Sequence, residues 1–396
     1  MKVLHLLPTV DEAYGGPVAA LIEADAAGRQ FGIDRTVATL DLPGDPWVGR
    51  CPLATVPLGS PAVRRARRAL PWLRYGFTPH LVPWLRRNLG GFDRVVVHGL
   101  WHYAALAARR VLPGGPVPYF VWPHGMLDPW FRTAHPTKHR CKQAAWWLSE
   151  GPLLNGARAV LFTSEGERQA AQDAFRPYRL RGVVAGYGTG EAPQRTPAHD
   201  AAFAAAVPGL GRNPYWLFLG RLHPKKGCDL LLEAFAADHG PLAGRHLVLA
   251  GPDAEGAGVR LQAEAARLGI ADRLHWPGML RGGAKWGALY GCDAFVLPSH
   301  GENFGVAVAE ALSCGKPVLL SEKVNIAPTV LAAGAGLVAP DSVAGVGRLL
   351  AGFAGLSALE RAAMGARARV CFLQNFLAER VQARTLAILN DPEPFL

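Results

Sequence analysis

The stretch that most constrains this chain runs from Asp293 to Leu320, DAFVLPSHGENFGVAVAEALSCGKPVLL. Ala294–Leu297 is a short apolar run that suits a buried strand, and Pro298, Ser299 and Gly301 end it. From Phe304 to Ser313 the apolar positions Phe304, Val308, Ala311 and Leu312 recur at helical spacing. Gly315 closes that helix, and Lys316-Pro317 punctuates before a second buried strand, Val318–Leu320. Strand, glycine-rich turn, helix and strand in 28 residues form the unit from which parallel α/β sheets are built.

The turn carries chemistry as well as topology. Asn303, Phe304 and Gly305 bring backbone N–H groups to a helix N-terminus, an end that carries partial positive charge and binds anions, phosphate above all. Glu302 lies in the loop and Glu310 two turns into the helix. Either glutamate alone reads equally well as a solvated surface residue. Together beside an anion-binding end they suit hydroxyl recognition: Glu310 can accept two hydroxyls of a ribose, and Glu302 those of a sugar.

The length of 396 residues allows two or three domains, and half the residues are apolar with 18% charged, which argues against disorder. No apolar run reaches membrane-span length without charge or proline. Val3–Leu7 is too short for a signal peptide and reads as a first strand. Cys51, Cys141, Cys228, Cys292, Cys314 and Cys371 are scattered without paired spacing, as expected of reduced thiols in cytosol and not of a metal site or disulfide frame. Net charge is uneven: residues 1–200 hold 24 Lys and Arg against 15 Asp and Glu, residues 201–396 hold 18 against 16. The first half either faces something anionic or is simply arginine-rich.

Strand and helix alternate throughout. Val3–Leu7 leads into Gly15-Gly16-Pro17, where two glycines allow backbone to approach a ligand or simply make a tight turn, and Pro17 suits the first helical position. The motif is not GxGxxG, so a dinucleotide fingerprint is missing. Arg50–Arg87 contains no acid and interleaves arginines, among them Arg64 and Arg65, with Trp72, Tyr75, Phe77 and Trp84. It reads as a solvated basic insertion or as a contact, spanning Arg64–Arg87, with an anionic membrane or a lipid diphosphate. No RNA or DNA motif accompanies it, so nucleic acid is not an expected partner. Pro118–Trp122 runs into Pro123-His124-Gly125, and a histidine directly after a buried strand sits where α/β sheets place ligands. His124 can donate to a sugar hydroxyl or to an oxygen gaining charge; His98, His102, His135 and His139 are weaker candidates. Pro193 to Pro214 reads as an interdomain linker with a short helix at Ala201–Ala206. Tyr215–Leu219 is a strand ending in Gly220-Arg221, with Lys226 five residues on, a spacing from which two cations can clamp a diphosphate.

These residues predict an α/β fold of two doubly wound, Rossmann-like domains facing a cleft. The expected organisation is an acceptor-side domain at 1–200, a nucleotide-sugar donor domain at 201–375, and a C-terminal helix at 376–396 crossing back to the first. At this point FLGRLHPKKG and PSHGENFGVAVAEALSCGKPV, with PHG and GGP upstream, resemble the retaining glycosyltransferases of the GT-B fold. The nearest likeness is to the bacterial group called family four, or glycosyltransferase group one. PHGMLDPW and SEKVNIAP resemble its branch that builds exopolysaccharide, capsule or O-antigen units.

The resemblance implies that Arg221 and Lys226 bind the donor diphosphate and Glu310 the ribose hydroxyls. It implies that Glu302, with the amides of Asn303, Phe304 and Gly305, holds the donor sugar. Gly15 and Gly16 would approach phosphates and acceptor, and His124 would meet the sugar near its reacting carbon. The activity implied is transfer of a hexose from a nucleotide sugar to a lipid-diphosphate-linked saccharide. Anomeric configuration would be retained, with no metal and no cofactor, in cytosol at the inner membrane face. A nucleotide-sugar epimerase, a phosphorylase and a catalytically silent nucleotide- or polysaccharide-binding module remain as alternatives. The donor base, the acceptor, the linkage and the oligomeric state are not legible.

Overall fold

A computed structural model describes residues 1–11, 16–66, 75–129, 132, 135–237, 244–253 and 256–391. The chain divides into two compact units, Met1–Gly188 with Ala378–Leu396, and Thr189–Leu377.

The first unit holds seven parallel strands: β1 Lys2–Leu6, β2 Asp34–Thr39, β3 Ala54–Pro57, β4 Arg94–His98, β5 Tyr119–Trp122, β6 Ala159–Phe162 and β7 Gly182–Val184. Their order is β3-β2-β1-β4-β5-β6-β7. The runs are apolar on both faces because both faces are covered. Leu4, Leu6, Val95, Val97, Val121 and Phe162 pack on one side against helices bearing Leu85, Ala104, Ala108 and Leu153. The alternate residues Val3, Val96, Phe120 and Leu161 face Ile388 and Leu389 of the helix Ala378–Asn390. Arg94 Nε and Arg158 Nη2 donate to the carbonyls of Leu389 and Asp391, cations set at that helix's negative end.

The second unit holds six parallel strands: β8 Tyr215–Leu219, β9 His246–Ala250, β10 Leu274–Gly278, β11 Ala294–Leu297, β12 Val318–Ser321 and β13 Gly336–Ala339. Their order is β10-β9-β8-β11-β12-β13. Phe235 and Phe353, on covering helices, meet buried Trp216 edge-on.

The boundary expected at 200 lies at 188/189, and the second at 377/378. Thr189 N donates to Phe376 O, Ala192 N to Ser313 Oγ, and Arg369 pairs with Glu191, which binds residues 189–192 into the second unit. The expected linker at 193–214 is likewise folded. Its helix, Pro197–Ala206, packs against the helix Gly282–Gly291 so closely that a Cβ at Gly287 would lie 2.1 Å from His199 O.

In each sheet the order reverses once, between β1 and β4 and between β8 and β11. The crevice beyond the carboxyl ends of such a pair is where open parallel sheets bind ligands.

Candidate functional site

In the second unit the loops after β8 and β11 meet at that reversal. Gly227 has φ 66° and caps the helix Cys228–Ala236, and a Cβ there would stand 2.2 Å from Pro298 O. Only glycine fits, and this close approach welds the two loops. His300 N and Ser299 Oγ both donate to Lys225 O at 2.8 Å. His223 caps the intervening turn by accepting from Lys225 N at 3.0 Å. Arg221 is exposed at the end of β8 and makes no ion pair among the described residues. Lys226 reaches across to an ion pair with Glu302, both side chains being more than four-fifths buried.

Glu302 is held by its own backbone, since its N–H donates to Lys323 O and its carbonyl accepts from Asn325 N, both at 3.0 Å. Asn325 Nδ2 also approaches Asn303 Oδ1 at 3.4 Å. The helix expected from Phe304 begins at Val306, because Gly305 adopts φ 78° and breaks helical geometry. Gly305 O accepts from Val308 N, and its Cα lies where a Cβ would crowd Glu302 Cγ at 3.3 Å. Phe304 is 4% exposed and its ring packs edge-on against Phe376, so the side chain belongs to the core. Glu310 is half-buried and accepts from Lys285 Nζ at 2.8 Å. Arg221, Lys226, Glu302, Asn303 and Gly305 are thus drawn together at two adjoining strand ends, with Glu310 on the helix that starts there.

In the first unit, Gly16 opens the helix Gly16–Gly28, and its carbonyl accepts from Tyr187 OH. Gly15 lies outside the described residues, as do Trp72 and the rest of residues 67–74. His124 follows β5 with φ 52°, a left-handed conformation uncommon for residues other than glycine. Glu167, 4% exposed, fixes the loop by accepting from Gly125 N at 2.6 Å and from Thr163 N and Oγ1 at 2.7 Å. His124 Nε2 bonds His98 Nδ1 at 2.8 Å, and His98 Nε2 bonds His5 Nδ1 at 2.8 Å. Trp122 stacks on His124, with centroids 5.3 Å apart and planes 8° apart. Burial lowers His5 and His124 to about 3 and His102 to about 4, and pushes His98 well below the usual 6.5. His124 is therefore a neutral imidazole, suited to hydrogen bonding and not to carrying charge. His139 stacks on Phe175 instead.

Beside His102 a cavity of about 400 Å³ is lined by Asp41, Asp45, Trp47, Arg64, Tyr75 and Trp101 among others. Asp41 accepts from Trp47 Nε1 at 3.0 Å and Thr9 Oγ1 at 2.6 Å. Within the expected basic contact, Arg64 pairs with Asp45, and Leu81 and Leu85 are buried. That part of Arg64–Arg87 is folded onto the unit.

Lys285, Glu167, His5 and the pairing role of His98 escape sequence reading. Lys285 stands 25 residues from Glu310 and joins it only through helix packing. No single described helix is long and apolar enough to cross a membrane.

The description "Glycosyl transferase 4-like domain" matches residues 15–188, and "Glycosyl transferases group 1" matches residues 204–353. A GDP-mannose:cellobiosyl-diphosphopolyprenol alpha-mannosyltransferase of Komagataeibacter xylinus is 28% identical over 375 residues, 87% of this chain and 81% of that protein. A D-inositol 3-phosphate glycosyltransferase of Xylanimonas cellulosilytica is 33% identical over 222 residues, and the match spans only 52% of that protein. Among solved structures, Anabaena HepE in complex with UDP and glucose superposes with a TM-score of 0.75 at 18% identity, covering 98% of this chain and 99% of that one. Sucrose-phosphate synthase from Thermosynechococcus elongatus gives 0.74 at 17%, covering 98% of each chain. At these identities the structures speak for the fold alone.

Proposed function

We propose, for a chain that belongs to the group 1 glycosyltransferases of GT-B architecture and is an enzyme, a hexosyltransferase, that it moves a hexose from a nucleotide-diphosphate sugar to a lipid-diphosphate-linked saccharide. The observation that carries this reading is the convergence of Arg221, Lys226, Glu302 and the Gly305 turn at the ends of β8 and β11. Cations and an amide-bearing helix start suit a diphosphate, and the carboxylates suit hydroxyls. Lys226 at rest is neutralised by Glu302. A bound diphosphate would share the lysine, leaving Glu302 anchored by its backbone and turned to the sugar.

Charge on the departing nucleotide diphosphate is the largest single term to stabilise in such a transfer. Arg221, Lys226 and the helix start supply it without a metal in this reading. Glu310, steadied by Lys285, keeps a second oxygen for ribose hydroxyls. Neutral His124 offers a hydrogen bond to the transferred sugar. The product keeps the donor's anomeric configuration through same-face attack. The acceptor saccharide fits the first unit's 400 Å³ cavity, where Trp47, Tyr75 and Trp101 offer apolar ring faces and Asp41 and Asp45 accept hydroxyls. The mannosyltransferase from Komagataeibacter, whose name specifies a diphosphopolyprenol acceptor, supports a lipid-linked acceptor; a role in cell-surface polysaccharide assembly at the inner membrane face is part of the same proposal.

The test is a thermal-shift screen against GDP-, UDP-, ADP- and dTDP-sugars, followed by incubation with a polyprenyl-diphosphate saccharide. Stabilisation by one nucleotide names the donor. Free nucleotide diphosphate released only with acceptor present supports transfer. Conversion of the nucleotide sugar without acceptor would instead mark an epimerase, and binding without turnover a silent module. The anomeric NMR signal of the product checks retention.

A further inference from the structure

A narrow cavity in the first unit lies between the sheet and the helices Gly16–Gly28 and Ala378–Asn390, and it adjoins His5, His98 and His124. Its space for water centres is about 40 Å³, more than the roughly 10–15 Å³ one water needs. Four buried polar atoms of its lining have no hydrogen-bond partner among the described residues: His5 Nε2, Arg35 Nη1, Trp122 Nε1 and Thr385 Oγ1. Native interiors seldom leave such groups unmatched, so water is the occupant this polar lining calls for.

The donor count in that space sets a direction. Arginine and indole N–H groups can only donate. Arg35 is held in place, its Nη2 donating to Gln382 Oε1 at 2.7 Å and its Nη1 paired with Asp25 Oδ1 at 3.7 Å, an ion pair too long to be a hydrogen bond. Gly28 leaves the room it needs, since a Cβ there would lie 2.2 Å from Nη1. Water accepting from Arg35 and Trp122 has its own protons left to give. Among the other two atoms, Thr385 Oγ1 can take one, and so can His5 Nε2 when it carries no proton. Were His5 Nε2 protonated, the lining would hold three N–H donors and one hydroxyl that both donates and accepts; unprotonated, it balances two donors with an acceptor.

The tautomer of His5 propagates. If Nε2 accepts, Nδ1 carries the proton and donates to His98 Nε2; His98 Nδ1 then donates to His124 Nε2, and the last proton sits on His124 Nδ1. Each neutral ring carries one proton, so the three choices are one choice. Burial, which lowers the proton affinity of all three rings, keeps the chain neutral. We propose that Arg35, acting through His5 and His98, fixes His124 as the Nδ1–H tautomer, so that this nitrogen is a hydrogen-bond donor. Arg35, His5 and His98 are positioning residues. That the bond goes to an oxygen of the donor sugar or its phosphate rests on the function proposed above; the tautomer does not.

The test is a two-bond ¹H–¹⁵N correlation spectrum of the full chain with ¹⁵N-labelled histidine rings, free of nucleotide sugar, assigned with His5→Phe, His98→Phe and His124→Phe. The expected pattern is a protonated, pyrrole-type Nδ1 and a pyridine-type Nε2 on His5, His98 and His124. A pyridine-type Nδ1 on His124 in the wild type overturns the proposal outright, whatever the transfer assay shows. Arg35→Met, if folded, should move the proton to Nε2 on His124, and an unchanged His124 in that variant also overturns it. Should Arg35→Met not fold, Trp122→Phe keeps the ring stack, removes one obligate donor and should raise the Nε2–H population. Where transfer is established, the folded Arg35 variant should lose up to about tenfold in kcat with donor KM unchanged, the size of one misdirected hydrogen bond.

Discussion

Lys226 and Glu302 illustrate how a residue's partner changes what its removal does. Lys226→Ala removes a cation from the leaving diphosphate and also leaves a partly buried Glu302 unpaired. Arg221→Ala removes an exposed cation and nothing else among the described contacts. Each should raise the barrier by about 2–4 kcal/mol if both face charge in the transition state. Only Lys226→Ala should also lower stability, and Glu302→Gln should restore part of that loss. Paired kcat/KM and melting measurements check this, and full turnover in both alanine variants would remove them from the site. Histidines give a second prediction at this scale. His5, His98, His102 and His124 are held below 6.5 in the fold, so the unfolded chain binds more protons between their folded values and 6.5. Their contribution to stability is whole above about pH 6.5 and is lost as pH falls toward about 3. Calorimetry at pH 5 in buffers of differing ionisation enthalpy should show net proton uptake on unfolding; none would mean that these rings titrate normally. His124 was legible because Pro-His-Gly follows an apolar run. His98 was legible as the end of a strand and as a weaker candidate, but not its pairing, since its partners come from sheet order and stand 93 and 26 residues away.

Elements were readable where local chemistry decides them and misread where packing does. Both sheets follow from alternating apolar runs and helices, and β8, β11 and β12 lie where the periodicity puts them. The helix start at Val306 shifted by two residues because Gly305 takes a left-handed conformation that apolar spacing cannot signal. Residues 193–214 looked like a linker because Pro, Ala and Gly lack periodicity, but the helix Pro197–Ala206 is held by packing against Gly287, whose missing side chain lets His199 and Phe203 approach. Gly227 makes the point testable. Alanine there would be forced into φ 66° and against Pro298 O. Left-handed strain alone costs about 1–2 kcal/mol, and the backbone clash adds to it. Gly227→Ala should lower the urea midpoint with the slope unchanged and weaken nucleotide binding, because the same contact joins the two candidate loops. A variant as stable as the wild type would show that the loops are held by something else.

At the scale of the whole chain, the last helix belongs to the unit that the chain built first. Ala378–Asn390 covers Val3, Phe120 and Leu161, supplies Gln382 to Arg35, and is tied at its end by Arg94 and Arg158. Expectation of a helix crossing back came from position and resemblance; its anchors did not, because they join residues hundreds of positions apart. A chain ending at Leu377 therefore loses part of the cover on one face of the first sheet, while the second unit keeps all its strands and the contacts of Thr189 and Glu191. Burying a large aliphatic side chain contributes about 1.5–3 kcal/mol, so losing Ile388 and Leu389 together with the Arg35 bond removes much of a typical margin of about 5–15 kcal/mol. Hydrogen exchange of the truncated chain should show β1, β4, β5 and β6 losing protection while β8, β11 and β12 keep it. The milder Leu389→Ala should cost about 2–5 kcal/mol in the first unit alone. Equal loss of protection in both sheets would mean that the two units do not fold as separate cooperative bodies, and undiminished protection in the first would mean that its sheet needs no cover on that face.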